Sequence, residues 1–274
     1  KNTDISHRKR FGQFFTPEPI AVFMTKWVLE GLDKSPEILE PAFGLGIFTR
    51  HILKNDPTAS ITGFEIDKTI FDYAESNFAS GNNQLKLINH DYISFSSRKK
   101  YNGIICNPPY LKFHDYDNGK LISEVNANLG LSLTGFTNIY TLFLLKSIFQ
   151  LKKGGRLTFI IPSEFLNSDY GVEVKRALLA SGTLRHIIII DYTQCAFENA
   201  LTTACILLCE NSGHENRIRF SKIKNPSNLN STLSDYQLID AELLDPKAKW
   251  RQYYDNDITC LLYTSPSPRD PKTS

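Results

Sequence analysis

The 274-residue chain is poor in cysteine: it has five, none in a Cys-x-x-Cys pair, which excludes a disulfide-built scaffold. Its six histidines are scattered without the spacing of metal ligands, so no metal site is expected. Long apolar runs are missing as well. The run HIIIIDY at 186–192 is far shorter than the ~20 residues of a membrane-crossing helix, so no membrane span is expected. The opening KNTDISHRKR has no apolar stretch behind its charges, and no export signal is expected there. Nor is there an excess of charge of one sign. Lys and Arg number 31 against 29 Asp and Glu, and the net +2 neither demands nor excludes a nucleic-acid partner. What the chain does have is 41% hydrophobic and 12% aromatic residues, enough for a sizeable core and too much for overall disorder. A water-soluble protein of a reducing compartment is expected.

Both ends are unusual. The chain opens on Lys1 rather than methionine, and CLLYTSPSPRD at 260–270 resembles the in-frame translation of a sequencing adapter. Residues 260–274 are therefore expected to be read-through rather than a domain, although a Pro/Ser-rich tail would have the same composition.

Between 37 and 209, short apolar runs alternate with amphipathic stretches. Strands are expected at 37–40, 60–66, 85–89, 101–106, 156–161, 184–190 and 202–209, and helices at 17–30, 46–54, 68–80, 137–151 and 171–181. Strands that are almost continuously apolar and separated by helices predict a parallel sheet covered on both faces. The last two strands are close enough in sequence to be antiparallel neighbours. The expected fold is α/β, an open, doubly wound, seven-stranded and mostly parallel sheet with one reversed strand. Residues 1–211 would form this domain, and the more polar 212–259 a linker and the start of another module.

Four loops carry candidate chemistry. NPPY at 107–110 follows the fourth expected strand, and ligands of such sheets bind beyond the carboxyl ends of the strands. Two consecutive prolines remove two N–H donors and fix two φ angles. The Asn107 side chain and the Pro108 carbonyl are then two rigid acceptors, suited to the two N–H groups of an exocyclic amine. Accepting both draws the nitrogen lone pair out of ring conjugation and makes it nucleophilic. Pro109 stiffens the turn, and Tyr110 offers a flat face on which a base can stack. An ordinary Asn-Pro turn would look the same.

Upstream, ILEPAFGLGIFTRHIL at 38–53 reads as strand, glycine loop and helix. Gly44 and Gly46 let the backbone approach a ligand, and the helix turns its N–H groups toward it. Thr49 stands where a dinucleotide fingerprint has its third glycine. Glu65, at the tip of the second strand, suits the two hydroxyls of a ribose, the alternative being a solvated strand-end charge. Asp91 in NHDY could take an adenine amino group with Tyr92 or Phe64 near the ring, or simply cap a turn. Thr16 in GQFFTP reads as the N-cap of a helix with Pro17 at its first position, a cap that can also hold a carboxylate.

In the order GQFFTP, EPAFGLG, GFEID, NHDY, NPPY and FTNIYTLFLLKSIFQLKKGGRLTFIIPSEFL, residues 11–210 resemble the gamma-class DNA amino-methyltransferases of restriction–modification systems. The resemblance implies a Rossmann-like methyltransferase fold and S-adenosylmethionine (AdoMet) as methyl donor to the exocyclic N6 of a flipped adenine in double-stranded DNA. It implies that Thr16 holds the methionine carboxylate and that Glu40, Ala42, Gly44 and Gly46 line the methionine and sulfonium side. It further implies Glu65 for the ribose, Asp91 for the cofactor adenine with Tyr92 beside it, and Asn107, Pro108, Pro109 and Tyr110 for the target base. Phe197 would cover the other face of that base, or be a core aromatic. The chain departs from the family at 43–45, Phe-Gly-Leu for the usual Cys-Gly-Ser. A cytoplasmic monomer of prokaryotic or phage origin is implied, with a restriction endonuclease as companion, fused or separate. NPPY also occurs in enzymes that methylate RNA bases or glutamine amides, and a nucleic-acid-binding fragment without activity is a further alternative.

Overall fold

A computed structural model describes residues 16–79, 83–110, 119, 122–123, 126–127, 132, 138–191, 203–213 and 216–255. The apolar runs are strands β1 (Glu37–Glu40), β2 (Ser60–Phe64), β3 (Leu85–Ile88), β4 (Tyr101–Cys106), β5 (Leu151–Pro162), β6 (Leu184–Asp191) and β7 (Thr203–Glu210). The amphipathic stretches are helices α1 (Glu18–Leu29), α2 (Ile47–Asn55), α3 (Lys68–Ala74), α4 (Ile139–Phe149) and α5 (Gly171–Ala180).

β1 pairs in parallel with β2 and β4, β2 with β3, and β4 with β5, while β7 runs antiparallel between β5 and β6. The reversed last strand is as expected. Both faces are covered, which is why these strands read as unbroken apolar runs. Neighbouring residues Ile38 and Leu39 point to opposite faces and are both fully buried. Ile38 packs with Ile20, Met24, Phe48 and Ile52 of α1 and α2, and Leu39 lies in the cluster of Leu142, Leu145, Val174 and Leu178 of α4 and α5. Cys106, Cys205 and Cys209 are buried free thiols within this core.

Among the described residues the sheet has nine strands rather than the expected seven, in the order β3-β2-β1-β4-β5-β7-β6-β8-β9. β8 (Arg217–Ile223) pairs in parallel with β6, and β9 (Gln237–Asp240) pairs antiparallel with β8. Two strands from the stretch expected as a linker and the start of a further module thus extend the same sheet. Polar residues interrupt the apolar ones along RIRFSKI, so no continuous apolar run marks the strand. Trp250 closes this end of the core. It is fully buried, meets Phe220 edge-on at 6.0 Å, and donates its indole N–H to the Asp245 carbonyl at 2.9 Å. Trp250→Ala is expected to lower stability by about 3–5 kcal/mol, as deletion of a buried aromatic does. An unchanged urea midpoint would show that this segment lies outside the cooperative unit. Among the described residues, no helix is long and apolar enough to cross a membrane.

Candidate active site

The strand order reverses between β1 and β4, because the chain builds outward through β2 and β3 and then returns to β1's other side. That switch point is where ligands of open α/β sheets bind, beyond the carboxyl ends of the strands. Along the edge lie, in order, the turn after β3 with Asp91, Glu65 after β2, the glycine loop after β1 and Asn107 after β4. Parallel pairing thus assembles in one row residues that are 67 positions apart in sequence between Glu40 and Asn107.

In the glycine loop, Gly44 and Gly46 have φ of +55° and +71°, in the left-handed region that side chains avoid. A Cβ on Gly46 would lie 2.9 Å from the rings of Phe43 and Phe78, whereas a Cβ on Gly44 would meet nothing within 4 Å. The backbone is therefore open at Gly44. Ala42, half-buried at the start of the loop, packs against the core. Glu40 beneath it is fully buried. Its Oε2 accepts from the Thr49 hydroxyl at 2.7 Å, and its Oε1 has no hydrogen-bond partner. Burial pushes its carboxyl up to about 8.

Glu65 joins the loop to the second strand. Its Oε2 accepts from the Gly44 N–H and its Oε1 from the Asp67 N–H, both at 2.9 Å. Burial raises its pKa against these hydrogen bonds. A carboxylate oxygen can accept two hydrogen bonds, so the Glu65 carboxylate, held by backbone N–H groups, keeps acceptor capacity for a hydroxyl donor. Asp91 uses both oxygens as a turn cap, accepting from Ile93 N–H at 3.0 Å and Ser94 N–H at 3.1 Å. The Tyr92 side chain turns into the core rather than toward the sheet edge. Its ring is buried among Phe64 and Phe143, and its hydroxyl bonds to Ser147 at 3.0 Å and Gln150 at 2.6 Å. Phe64 is buried beside it, 3% exposed.

Thr16 is not the helix cap. Pro17 holds that position, and its carbonyl accepts from Ile20 and Ala21 at 3.0 Å. Prolines at 17 and 19 also remove two of the N–H groups a carboxylate could have used. The Thr16 hydroxyl is instead 3.0 Å from Asn107 Nδ2, from which it accepts. This joins the start of α1 to NPPY and turns the Asn107 carbonyl oxygen the other way. Pro108 is buried and Pro109 half-buried behind it. The Tyr110 hydroxyl donates to the Ile160 carbonyl at 3.0 Å, and its ring meets Tyr140 edge-on at 6.2 Å. Phe197 lies outside the described residues. Two residues that no motif marks also stand here: Ile66, a large aliphatic 57% exposed directly after Glu65, and Leu45, 40% exposed between the two glycines. An apolar residue beside a buried carboxylate at a strand tip is the signal that could have found them.

A model of the Eco57I restriction-modification methylase family matches residues 18–197. The chain belongs to this family. The chain is 47% identical over 264 residues to the type II methyltransferase M.AccI of Acinetobacter calcoaceticus, an alignment covering 93% of this chain and 48% of that one. It is 29% identical over 189 residues to M.HincII of Haemophilus influenzae, covering 69% of this chain and 35% of the relative. The chain thus spans about half the length of M.AccI. The fold is similar to the type I restriction-modification methyltransferase subunit from Streptococcus thermophilus, with a TM-score of 0.73 at 18% identity over 88% of this chain and 59% of that one.

Proposed function

We propose that the chain is the catalytic part of a DNA methyltransferase that moves a methyl group from AdoMet to the N6 amine of a flipped-out adenine in double-stranded DNA. The single observation that supports this most is the row along the carboxyl edge: a turn carboxylate, a strand-tip carboxylate, a glycine loop and NPPY, in that order. A base, its ribose and a sulfonium that bears the methyl group and an amino-acid tail match such a row. The residues present fit the donor: the backbone is open at Gly44, the Glu65 carboxylate is fixed beside it by backbone N–H groups, and Glu40 carries a buried oxygen without a partner. Thr16, Glu40, Ala42, Gly44 and Gly46 would hold its methionine end, Glu65 its ribose and Asp91 its adenine amine. Bound there, AdoMet supplies a methyl group on a positively charged sulfur.

Asn107 and Pro108 act on the acceptor. Their carbonyl oxygens would take the two N–H groups of the target amine, so that its lone pair can form the new N–C bond while the methyl–sulfur bond breaks and the sulfur leaves as a neutral thioether. Donation to Thr16 holds the Asn107 amide in the orientation this needs. Tyr110, anchored through Ile160, gives the base a face to stack on, worth ~1–3 kcal/mol. That offsets part of the few kcal/mol that flipping costs. The methylated ammonium is acidic enough to pass its extra proton to water without a dedicated base. The same reading implies a cytoplasmic monomer accompanied by a restriction endonuclease, fused or separate.

The test is to incubate the chain with methyl-labelled AdoMet and unmethylated duplex DNA, RNA or a glutamine-containing peptide. N6-methyladenine in the DNA digest is expected. Label in RNA or peptide instead, or AdoMet bound with no label in DNA, would overturn the proposal. Thr16→Val keeps the size of the side chain but removes its acceptor. It is expected to lower kcat about tenfold, the effect of one lost hydrogen bond on alignment, and to raise the KM for AdoMet. A variant that changes KM alone would show that Thr16 does not orient Asn107.

A further inference from the structure

Lys146 lies in the last turn of α4, where a lysine would ordinarily extend to water. Its Nζ instead donates to the carbonyl oxygens of Tyr92, Ile93 and Phe95, at 2.6, 2.9 and 2.7 Å. It also sits 4.7 Å from the centre of the Tyr92 ring. Three carbonyl dipoles aimed at one point repel one another unless a cation occupies the focus. An ammonium, with its three donors, is suited to it.

The far side of the same turn faces Asp91. The Tyr92 carbonyl and the Ile93 N–H belong to one peptide group, and the Ile93 carbonyl and the Ser94 N–H to the next. Lys146 donates to both carbonyls, and Asp91 accepts from both N–H groups. Two adjacent peptide groups therefore span from the ammonium to the carboxylate, each polarised in the same sense, and hydrogen bonds in such a series strengthen one another. Tyr92 fastens the turn to the same helix through Ser147 and Gln150, so the turn and the end of α4 form one unit.

We propose that Lys146 is a positioning residue for the cofactor's adenine: through these two peptide groups it fixes the Asp91 carboxylate that receives the 6-amino group. The inference rests on the role given to Asp91 above and adds a residue that touches no ligand. Calorimetry with S-adenosylhomocysteine and with its analogue lacking the 6-amino group tests it. The unaltered chain is expected to bind the analogue about tenfold more weakly, the usual loss of a hydrogen bond to a charged group. Lys146→Met keeps the length of the side chain without its donors. It is expected to bind S-adenosylhomocysteine about tenfold more weakly and the analogue almost unchanged, so that the ratio between them collapses.

A merely structural loss would weaken both ligands alike, and a preserved ratio in Lys146→Met would overturn the proposal. Should that variant not fold, Lys146→Arg decides. Its charge remains, but a planar fork cannot converge on three carbonyls, so the ratio is expected to fall by about half or more. A full ratio in Lys146→Arg would equally overturn it. If the unaltered chain binds S-adenosylhomocysteine without preferring the 6-amino group, the role of Asp91 fails first and the proposal with it. That failure is read before any variant is made.

Discussion

An Asn107→Ala chain is expected to bind AdoMet with near-normal affinity and to lose methyl transfer by at least about a hundredfold, the scale on which one pre-aligned polar group acts on a reacting centre. The expectation follows from where Asn107 sits. It is the first residue after β4, at the strand-order reversal, and two prolines stiffen the turn behind it. Its Nδ2 donates to the Thr16 hydroxyl at 3.0 Å, which fixes the plane of the amide and the direction in which its carbonyl oxygen acts as an acceptor. Removing the side chain leaves the Pro108 carbonyl as one acceptor for two N–H groups, and the amine keeps more of its conjugation. Asn107→Asp separates the two functions of the side chain. It preserves an acceptor but cannot donate to Thr16, so its activity is expected to lie between those of Ala and Asn. Single-turnover transfer to duplex DNA, with AdoMet affinity measured separately, gives both numbers. Unchanged turnover in Asn107→Ala would remove this residue from the site.

The parallel core was readable because its strands are buried on both faces and therefore announce themselves as apolar runs. β8 was not, because polar residues break its apolar pattern into what reads as a linker. The site was legible where a residue type is demanded by the backbone: glycines at positive φ, and prolines that stiffen the turn after Asn107. It was not legible where the matter is which way a side chain turns. Asp91 and Tyr92 are neighbours in NHDY, yet one caps its own turn and the other enters the core beneath α4. Nothing in the order of the letters chooses between them. Thr16 has the residue type of a helix cap, but its hydroxyl is claimed by Asn107, 91 positions away. Lys146 looks like a solvated charge on an amphipathic helix, and its three carbonyl partners come from a turn formed 51 to 54 residues earlier.

The second large effect concerns Glu40 and pH. Its carboxyl is pushed up to about 8 by burial, against 4.5 in an open chain. Between these values the folded chain keeps a proton that the unfolded chain has released, so stability is full below about pH 4.5 and falls as the pH rises toward 8. Over that window the loss is on the order of 5 kcal/mol. Glu40→Gln resembles the protonated acid and does not titrate. It should match the unaltered chain in urea denaturation at pH 5 and exceed it by several kcal/mol at pH 8. Binding should carry the opposite sign. A sulfonium held at the glycine loop favours the ionised carboxylate through a low-dielectric interior, so occupation of the site should release a proton. AdoMet affinity is then expected to rise from pH 6 to 8, by up to about tenfold per pH unit, more steeply than that of S-adenosylhomocysteine, whose sulfur is neutral. In Glu40→Gln the two ligands should follow the same profile. Parallel profiles in the unaltered chain would show that Glu40 does not sense the charge of the donor, and would leave its burial as a matter of packing with Thr49 alone.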